Sequence, residues 1–194
     1  MCSRYCEKRR TTEETDVLVR VSLDEGAEYS LEVPYPFFKH LLQSLARFSG
    51  FKIEIIGRNL SEVDEHHLVE DVAITLGEAL DEALGDRRGI ARYGDVLTPM
   101  DEVLVLTAID LDGRGGFYHN IKFRHLKLGE MDTSLIIHFL RTLAIKSRSS
   151  LHIAVLREGD EHHLAEAIFK SLGRSLGKAV RKISEEIPST KGVL

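Results

Sequence analysis

The sequence predicts an α+β fold in which one half-domain is used twice, and three features carry that prediction. The segment 64–80, DEHHLVEDVAITLGEAL, recurs in register as 160–176, DEHHLAEAIFKSLGRSL, at an offset of 96 residues. Both copies have the long apolar periodicity of a helix, and both are preceded by stretches that alternate as strands do. Amphipathic helices that follow alternating strands pack on one face of a mostly antiparallel sheet.

Each half reads strand-strand-helix-strand-helix. Residues 17–23 (VLVRVSL) alternate, residues 27–33 alternate again, and Asp24-Glu25-Gly26 between them predicts a hairpin. Pro36 suits the first turn of a helix, where its missing N–H has no partner to lose. That helix runs through PFFKHLLQSLARF to Ser49-Gly50. Residues 51–56 form a strand, and residues 65–84 form the first repeated helix, closed by Gly85. Residues 85–99 read as a connector. In the second half, residues 102–111 (EVLVLTAIDL) are a strand, 113–116 a turn and 117–123 a strand. A helix over 133–147 has Asp132 as its N-cap. Residues 151–156 are a strand and 161–183 the second repeated helix. The expected organisation is a first half-repeat at 10–92, a second at 93–186, and a tail at 187–194 without periodicity.

The 194 residues are 43% hydrophobic, enough for a real core. A net charge of -5 argues against general attraction to nucleic acid or to an anionic membrane, so an anionic ligand needs a local cluster of cations. No apolar run approaches the ~20 residues of a spanning helix. The opening MCSRYCEKRR has no apolar leader segment, which predicts a cytoplasmic protein. Cys2 and Cys6 read as free thiols, because no second cysteine pair exists for a zinc site.

Histidine is the informative residue. On a helix, Glu70 lies one turn from both His66 and His67 and shares a flank with each, while the two imidazoles diverge by about 100°. They therefore suit two ions, or one ion and a substrate. His162, His163 and Glu166 repeat the geometry. His40 and His138 occupy equivalent places on the preceding helices, 26 and 24 residues upstream of His66 and His162. The result is two sets of three histidines and one glutamate. Mixed imidazole and carboxylate donors fit manganese, iron or zinc. His119, His125 and His152 have no counterparts; the first two read as surface residues and the third as a satisfied strand residue.

The motifs HHLVED, LGEAL, ALGDRRGI, RYG, PMDE, DGR, HH-x-x-E-x-x-FK and the final PSTKGVL occur in order and together resemble the imidazoleglycerol-phosphate dehydratase family over residues 10–194. The resemblance implies a duplicated α+β half-domain and a homo-oligomeric shell of about 24 subunits. It implies two divalent metal ions, manganese, lying between subunits. Their ligands would be His40, His66, His67, Glu70, His138, His162, His163 and Glu166, the same positions singled out by the repeat. The implied reaction removes water from imidazoleglycerol phosphate, a small-molecule substrate, to give imidazole acetol phosphate in histidine biosynthesis. The metals would act as Lewis acids on the imidazole, and Glu14, Glu70, Glu166, His67 and His163 would be the catalytic residues. Arg92, Arg114, Lys170, Ser189 and Lys191 would bind the phosphate, with the tail closing on the ligand. The chain departs from the family pattern at Lys39, Ser44 and Asp112.

Two other readings suit a histidine-rich helix. A zinc hydrolase places two histidines a turn apart beside a glutamate base, and adjacent histidines fit that poorly. A non-catalytic metal-binding assembly would bind ions without converting substrate.

Overall fold

Strand alternation in each half builds one four-stranded sheet in the computed structural model, which describes residues 4–62 and 64–194. The first half contains β1 (Tyr5–Thr11), β2 (Thr15–Ser22), β3 (Tyr29–Glu32), α1 (Pro36–Ser49), β4 (Lys52–Asn59) and α2 (Glu65–Leu84). The second contains β5 (Tyr93–Met100), β6 (Val103–Asp110), β7 (Gly116–His119), the short pair β8 (Lys127–Leu128) and β9 (Met131–Asp132), α3 (Thr133–Lys146), β10 (Ser150–Arg157) and α4 (Glu161–Ala179). The sheet orders are β1-β2-β4-β3 and β5-β6-β10-β7, so the duplication extends to topology. All neighbours in these two sheets are antiparallel except β3 with β4 and β7 with β10.

The α+β class and the duplication stand, each four-stranded sheet carries one more strand than its alternation announces, and the second half adds the short β8–β9 pair. Both added strands, β1 and β5, lie at sheet edges. In β1 only Cys6 is buried, so no period-two apolar signal exists there. In β5 the pattern is interrupted by Gly94 and Pro99, and the proline is tolerated because the strand is an edge. The expected hairpin over 17–33 does not form. The seven-residue ladder from Tyr5↔Ser22 to Thr11↔Asp16 takes that side of β2, and β3 instead runs parallel to β4. Two bounds also move, and one cap lacks its bond. The strand over 117–123 shortens to β7, α4 ends at Ala179, and Asp132 stands at the N-cap of α3 without a side-chain capping bond.

In both sheets one face carries the core. Val17, Val19 and Val21 of β2, and Val103, Val105 and Ile109 of β6, are buried against the helices. α1 packs on α4 and α2 on α3, so each contact joins the two halves, and one hydrophobic cluster runs through both. The two halves are therefore repeats within one folded unit. Cys6 is a free, buried thiol whose pKa is pushed up to about 11, by burial first and then by Glu82. Cys2 lies outside the described residues.

The Leu-Gly of each repeat is where the helices cross. A Cβ on Gly173 would overlap the Leu45 carbonyl oxygen, and one on Gly77 would stand 2.6 Å from Lys146 Cβ. Gly177 repeats the contact one turn on, against the Ser49 carbonyl oxygen. Gly173→Ala is expected to force α1 and α4 apart at a cost of about 3 kcal/mol. Calorimetry should show melting lowered by about 6–12 °C. An unchanged melting temperature would show that Gly173 does not set the spacing.

Candidate active site

His40 lies beside His162, Leu45 beside Gly173 and Ser49 beside Gly177, so α1 and α4 run in the same direction. α2 and α3 do likewise, with His66 beside His138 and Gly77 beside Lys146. This packing collects the histidines at one end of the molecule. Asp64 caps α2 by accepting from the His66 N–H at 3.0 Å, and Asp160 caps α4 by accepting from His162 and His163 at 2.8 and 3.2 Å. Each cap contributes about 1 kcal/mol and fixes the first turn from which the imidazoles project.

Two equivalent clusters result. In one, His40 Nε2 and His162 Nε2 both stand 3.1 Å from Glu166 Oε1. In the other, His138 Nε2 stands 3.3 Å and His66 Nε2 3.9 Å from Glu70 oxygens. In each group one donor atom from every residue lies within 4.8 Å of the others, a spacing that can hold a divalent ion. His138 Nε2 is buried, and its direction misses a hydrogen bond to Glu70 despite the short distance. An orphaned imidazole nitrogen beside a carboxylate is the state expected of a ligand without its cation. Burial pushes the Glu166 carboxyl up, but Lys170 and His40 together outweigh it and hold the group below the ordinary carboxylate range.

His67 and His163 are not brought into these clusters. Each turns toward a hairpin. His67 Nδ1 lies 2.7 Å from Glu14 in the β1–β2 turn. His163 Nδ1 lies 3.4 Å from Glu102 and 3.6 Å from Asp101 in the β5–β6 turn. Sequence reasoning does not single out Asp101 and Glu102. Their signal is the match of Glu13-Glu14-Thr15 to Asp101-Glu102-Val103, which becomes visible only once β1 and β5 are known to be strands. Asp101 sits in the left-handed region at φ 48°, an unfavourable setting for a residue with a side chain. The N–H of Asp160 holds the Glu102 carboxyl below its ordinary range.

The cations nominated for phosphate lie elsewhere, with one exception. Lys170 Nζ pairs with Glu166 at 2.7 Å, beside the first cluster. Arg92 grips Asp110 at 2.7 and 3.0 Å and donates to the Pro188 carbonyl at 2.9 Å. Its backbone N–H bonds to Ala179, the last residue of α4. Arg114 pairs with the buried Asp112, and Leu194 of the tail lies against Gly113. Lys191 and Ser189 sit in that tail, joined by a bond from the Lys191 N–H to Ser189 Oγ at 3.2 Å. These groups are at the C-terminal end of α4, and the clusters are at its N-terminal end. Along α4, His162 and Glu166 lie about 25 and 20 Å from Ala179. Within one chain the tail therefore does not reach the imidazoles.

A cleft of about 440 Å³ opens beside the second cluster, lined by Tyr35, Asp64, His66, Lys127, Glu130 and Asp132 among others. The other histidines serve the surface. His125 pairs with Glu161, His119 stacks on Phe117, and His152 stacks on Tyr118.

Comparison with known proteins gives the family and the fold. The family model described as imidazoleglycerol-phosphate dehydratase matches residues 33–176. Proteins of that name from Desulforudis audaxviator and Metallosphaera sedula are 45% and 44% identical to the chain, covering 100% and 99% of it and 100% of each relative. The solved Pyrococcus furiosus structure, in complex with (S)-C348, superposes with a TM-score of 0.82 at 36% identity, over 96% of this chain and 99% of that one. The Staphylococcus aureus structure gives 0.80 at 32% identity, over 92% and 99%. With a repeated histidine motif, a duplicated fold and full-length relatives in agreement, the chain belongs to the imidazoleglycerol-phosphate dehydratase family.

Proposed function

We propose that this chain dehydrates imidazoleglycerol phosphate to imidazole acetol phosphate with two divalent metal ions, manganese in our reading, held by its histidines and glutamates. Membership of the family makes it a hydro-lyase of histidine biosynthesis. The observation that carries the metal reading is the pair of equivalent two-histidine, one-glutamate clusters at one end of the helices. Three protein donors leave positions open for substrate and for a further ligand, as catalytic sites require. His67 and His163, which point away from their own clusters, are placed to supply that ligand to a neighbouring chain. Bound ions supply Lewis acidity at the imidazole nitrogens of the substrate.

The chain's own groups carry the rest. A C–H proton must leave the carbon next to the one that loses hydroxide, and the resulting enol tautomerises to the ketone. Glu14 is suited to take that proton, because among the described residues its carboxylate touches only His67. Glu102 is engaged by the Asp160 N–H at 2.5 Å and is less free to act as a base. Arg92, Arg114, Lys170, Ser189 and Lys191 hold the phosphate. The substrate, measured along its bonds, spans about 8 Å. That is far short of the separation between clusters and distal cations, so a second chain must complete each site.

A surface for such a partner exists. The outward face of the first sheet is laced with ion pairs, Arg20 with Glu7 and Glu54, and Arg9 with Asp16. The matching face of the second sheet carries Leu97, Leu106 and Ala154 side by side across three strands, with Leu97 49% and Leu106 36% exposed. An apolar sheet face of this kind supports a homo-oligomer, in our reading a shell of about 24 copies. No helix among the described residues is long and apolar enough to cross a membrane, and we place the enzyme in the cytoplasm.

The test is an assay of purified protein with imidazoleglycerol phosphate and manganese. Ketone product should form, stop when a chelator is added, and return with manganese. Full turnover in metal-free protein would sink the metal reading, and bound metal without turnover would favour a storage assembly. Peptide cleavage would favour the hydrolase.

A further inference from the structure

The two half-sites differ one layer behind their carboxylates. Glu14 and Glu102 hold the same place, directly before the first residues of β2 and β6. Behind Glu102 the three matching residues carry no charge: Val103 opens β6, Thr98 on β5 accepts from the Arg174 guanidinium at 3.1 Å, and Ala167 stands buried on α4. Behind Glu14 the equivalent positions are Thr15, Arg10 and Asp71, and they are wired together. Thr15 is wholly buried and donates its hydroxyl to Asp71. Asp71 is 6% exposed and takes a second bond from Arg10 Nε at 2.6 Å. Thr12 Oγ1, in turn, lies 3.2 Å from Thr15 Oγ1 and accepts the Glu14 and Thr15 N–H groups at 3.1 and 3.0 Å.

A carboxylate in the core is costly unless its partners are in place. The second half shows that the fold does not need one there, since alanine fills the same position of the repeat. What the first half lacks is the support that Glu102 has. The Glu102 carboxylate is held directly by the N-terminus of α4, whereas among the described residues that of Glu14 has only His67, so its aim depends on its backbone.

We propose that Asp71, Thr15 and Arg10 are positioning residues that lock the β1–β2 turn onto α2 and so hold the Glu14 carboxylate against His67 for proton transfer. This rests on the reading of Glu14 as the proton acceptor. Asp71 also follows Glu70 directly on α2, so a single helical turn fixes the first half-site's metal-facing carboxylate and the anchor of its base.

The second half supplies the test. Writing its residues into the first, as Arg10→Thr, Thr15→Val and Asp71→Ala together, should give a protein that folds, assembles and binds its full metal complement. Its kcat should fall about 10–100-fold with KM little changed, the signature of a misplaced acceptor. Thr15→Ser, which keeps the hydroxyl, should retain kcat, and Thr15→Val alone should lose part of it. If the triple variant does not fold, the serine and valine pair decides: equal kcat values overturn the proposal. A triple variant with unaltered kcat, while Glu14→Gln is inactive, overturns the positioning role and leaves the Glu14 reading intact. Full activity of Glu14→Gln removes the reading beneath it. Loss of metal from the triple variant would assign the network to ligand support and overturn the proposal.

Discussion

His40→Ala is expected to cost each chain one bound divalent ion and to lower dehydration by more than the 10–100-fold that partners behind a metal ligand are worth. That cluster offers a divalent ion three donors from this chain, and His40 is the one from α1. Its removal leaves this chain one imidazole and one carboxylate, so that with the histidine proposed from a neighbouring chain only three donors remain to compete with water for manganese. The fold should survive. The His40 side chain is 44% exposed, and Glu166 keeps Lys170 at 2.7 Å, so no buried charge is left alone. His138→Ala should remove the other ion by the same argument, and the double variant should bind neither. Metal content by atomic emission, measured beside the initial rate, checks both effects. Full metal and full rate in the double variant would remove the clusters from the mechanism. The apo proteins should melt together, because the ligand positions contribute little packing.

The histidine positions were legible in the sequence because a repeat exposes a constellation that a single copy hides. One His-His pair is unremarkable, but two in register, each with a third histidine on the preceding helix, point to metal ligation. What could not be read was the pairing. Clusters form between α1 and α4 and between α2 and α3, across the halves, and nothing local in either helix encodes that choice. It follows from the close approach permitted by Gly77 and Gly173, whose role emerges only when the helices are seen to cross. The edge strands escaped for a different reason. β1 presents Tyr5, Glu7, Arg9, Arg10 and Thr11 to solvent and buries only Cys6, and β5 contains a glycine and a proline. Missing them hid the two turns, and with the turns went Asp101 and Glu102. The local signal of Asp24-Glu25-Gly26 was real as a turn, yet long-range pairing with β1 and β4 overrode the hairpin it suggested.

The separation of imidazoles from distal cations makes the last expectation a strong one. Two variants, each nearly inactive alone at substrate concentrations near the unmodified KM, should restore activity when assembled together. His40→Ala with His138→Ala empties the clusters but leaves Arg92, Arg114 and the tail intact. Arg114→Ala with Lys191→Ala spares the clusters but weakens the grip on phosphate, which should raise KM strongly at unchanged metal content. If each site draws its metals and its distal phosphate ligands from different chains, an equimolar mixture dissociated and reassembled contains about one intact site in four. Roughly a quarter of the unmodified rate should return, carried by sites with the unmodified KM. If each site lay within one chain, mixing would restore nothing, because no chain would hold both sets. The geometry favours the first outcome: about 20 Å of α4 lies between Glu166 at one end and Ala179, where Arg92 is anchored, at the other, and a substrate of about 8 Å cannot span it. Reassembly without any recovered activity, confirmed by the mass of the mixed particles, would mean that the cations at the far end of α4 do not serve this reaction.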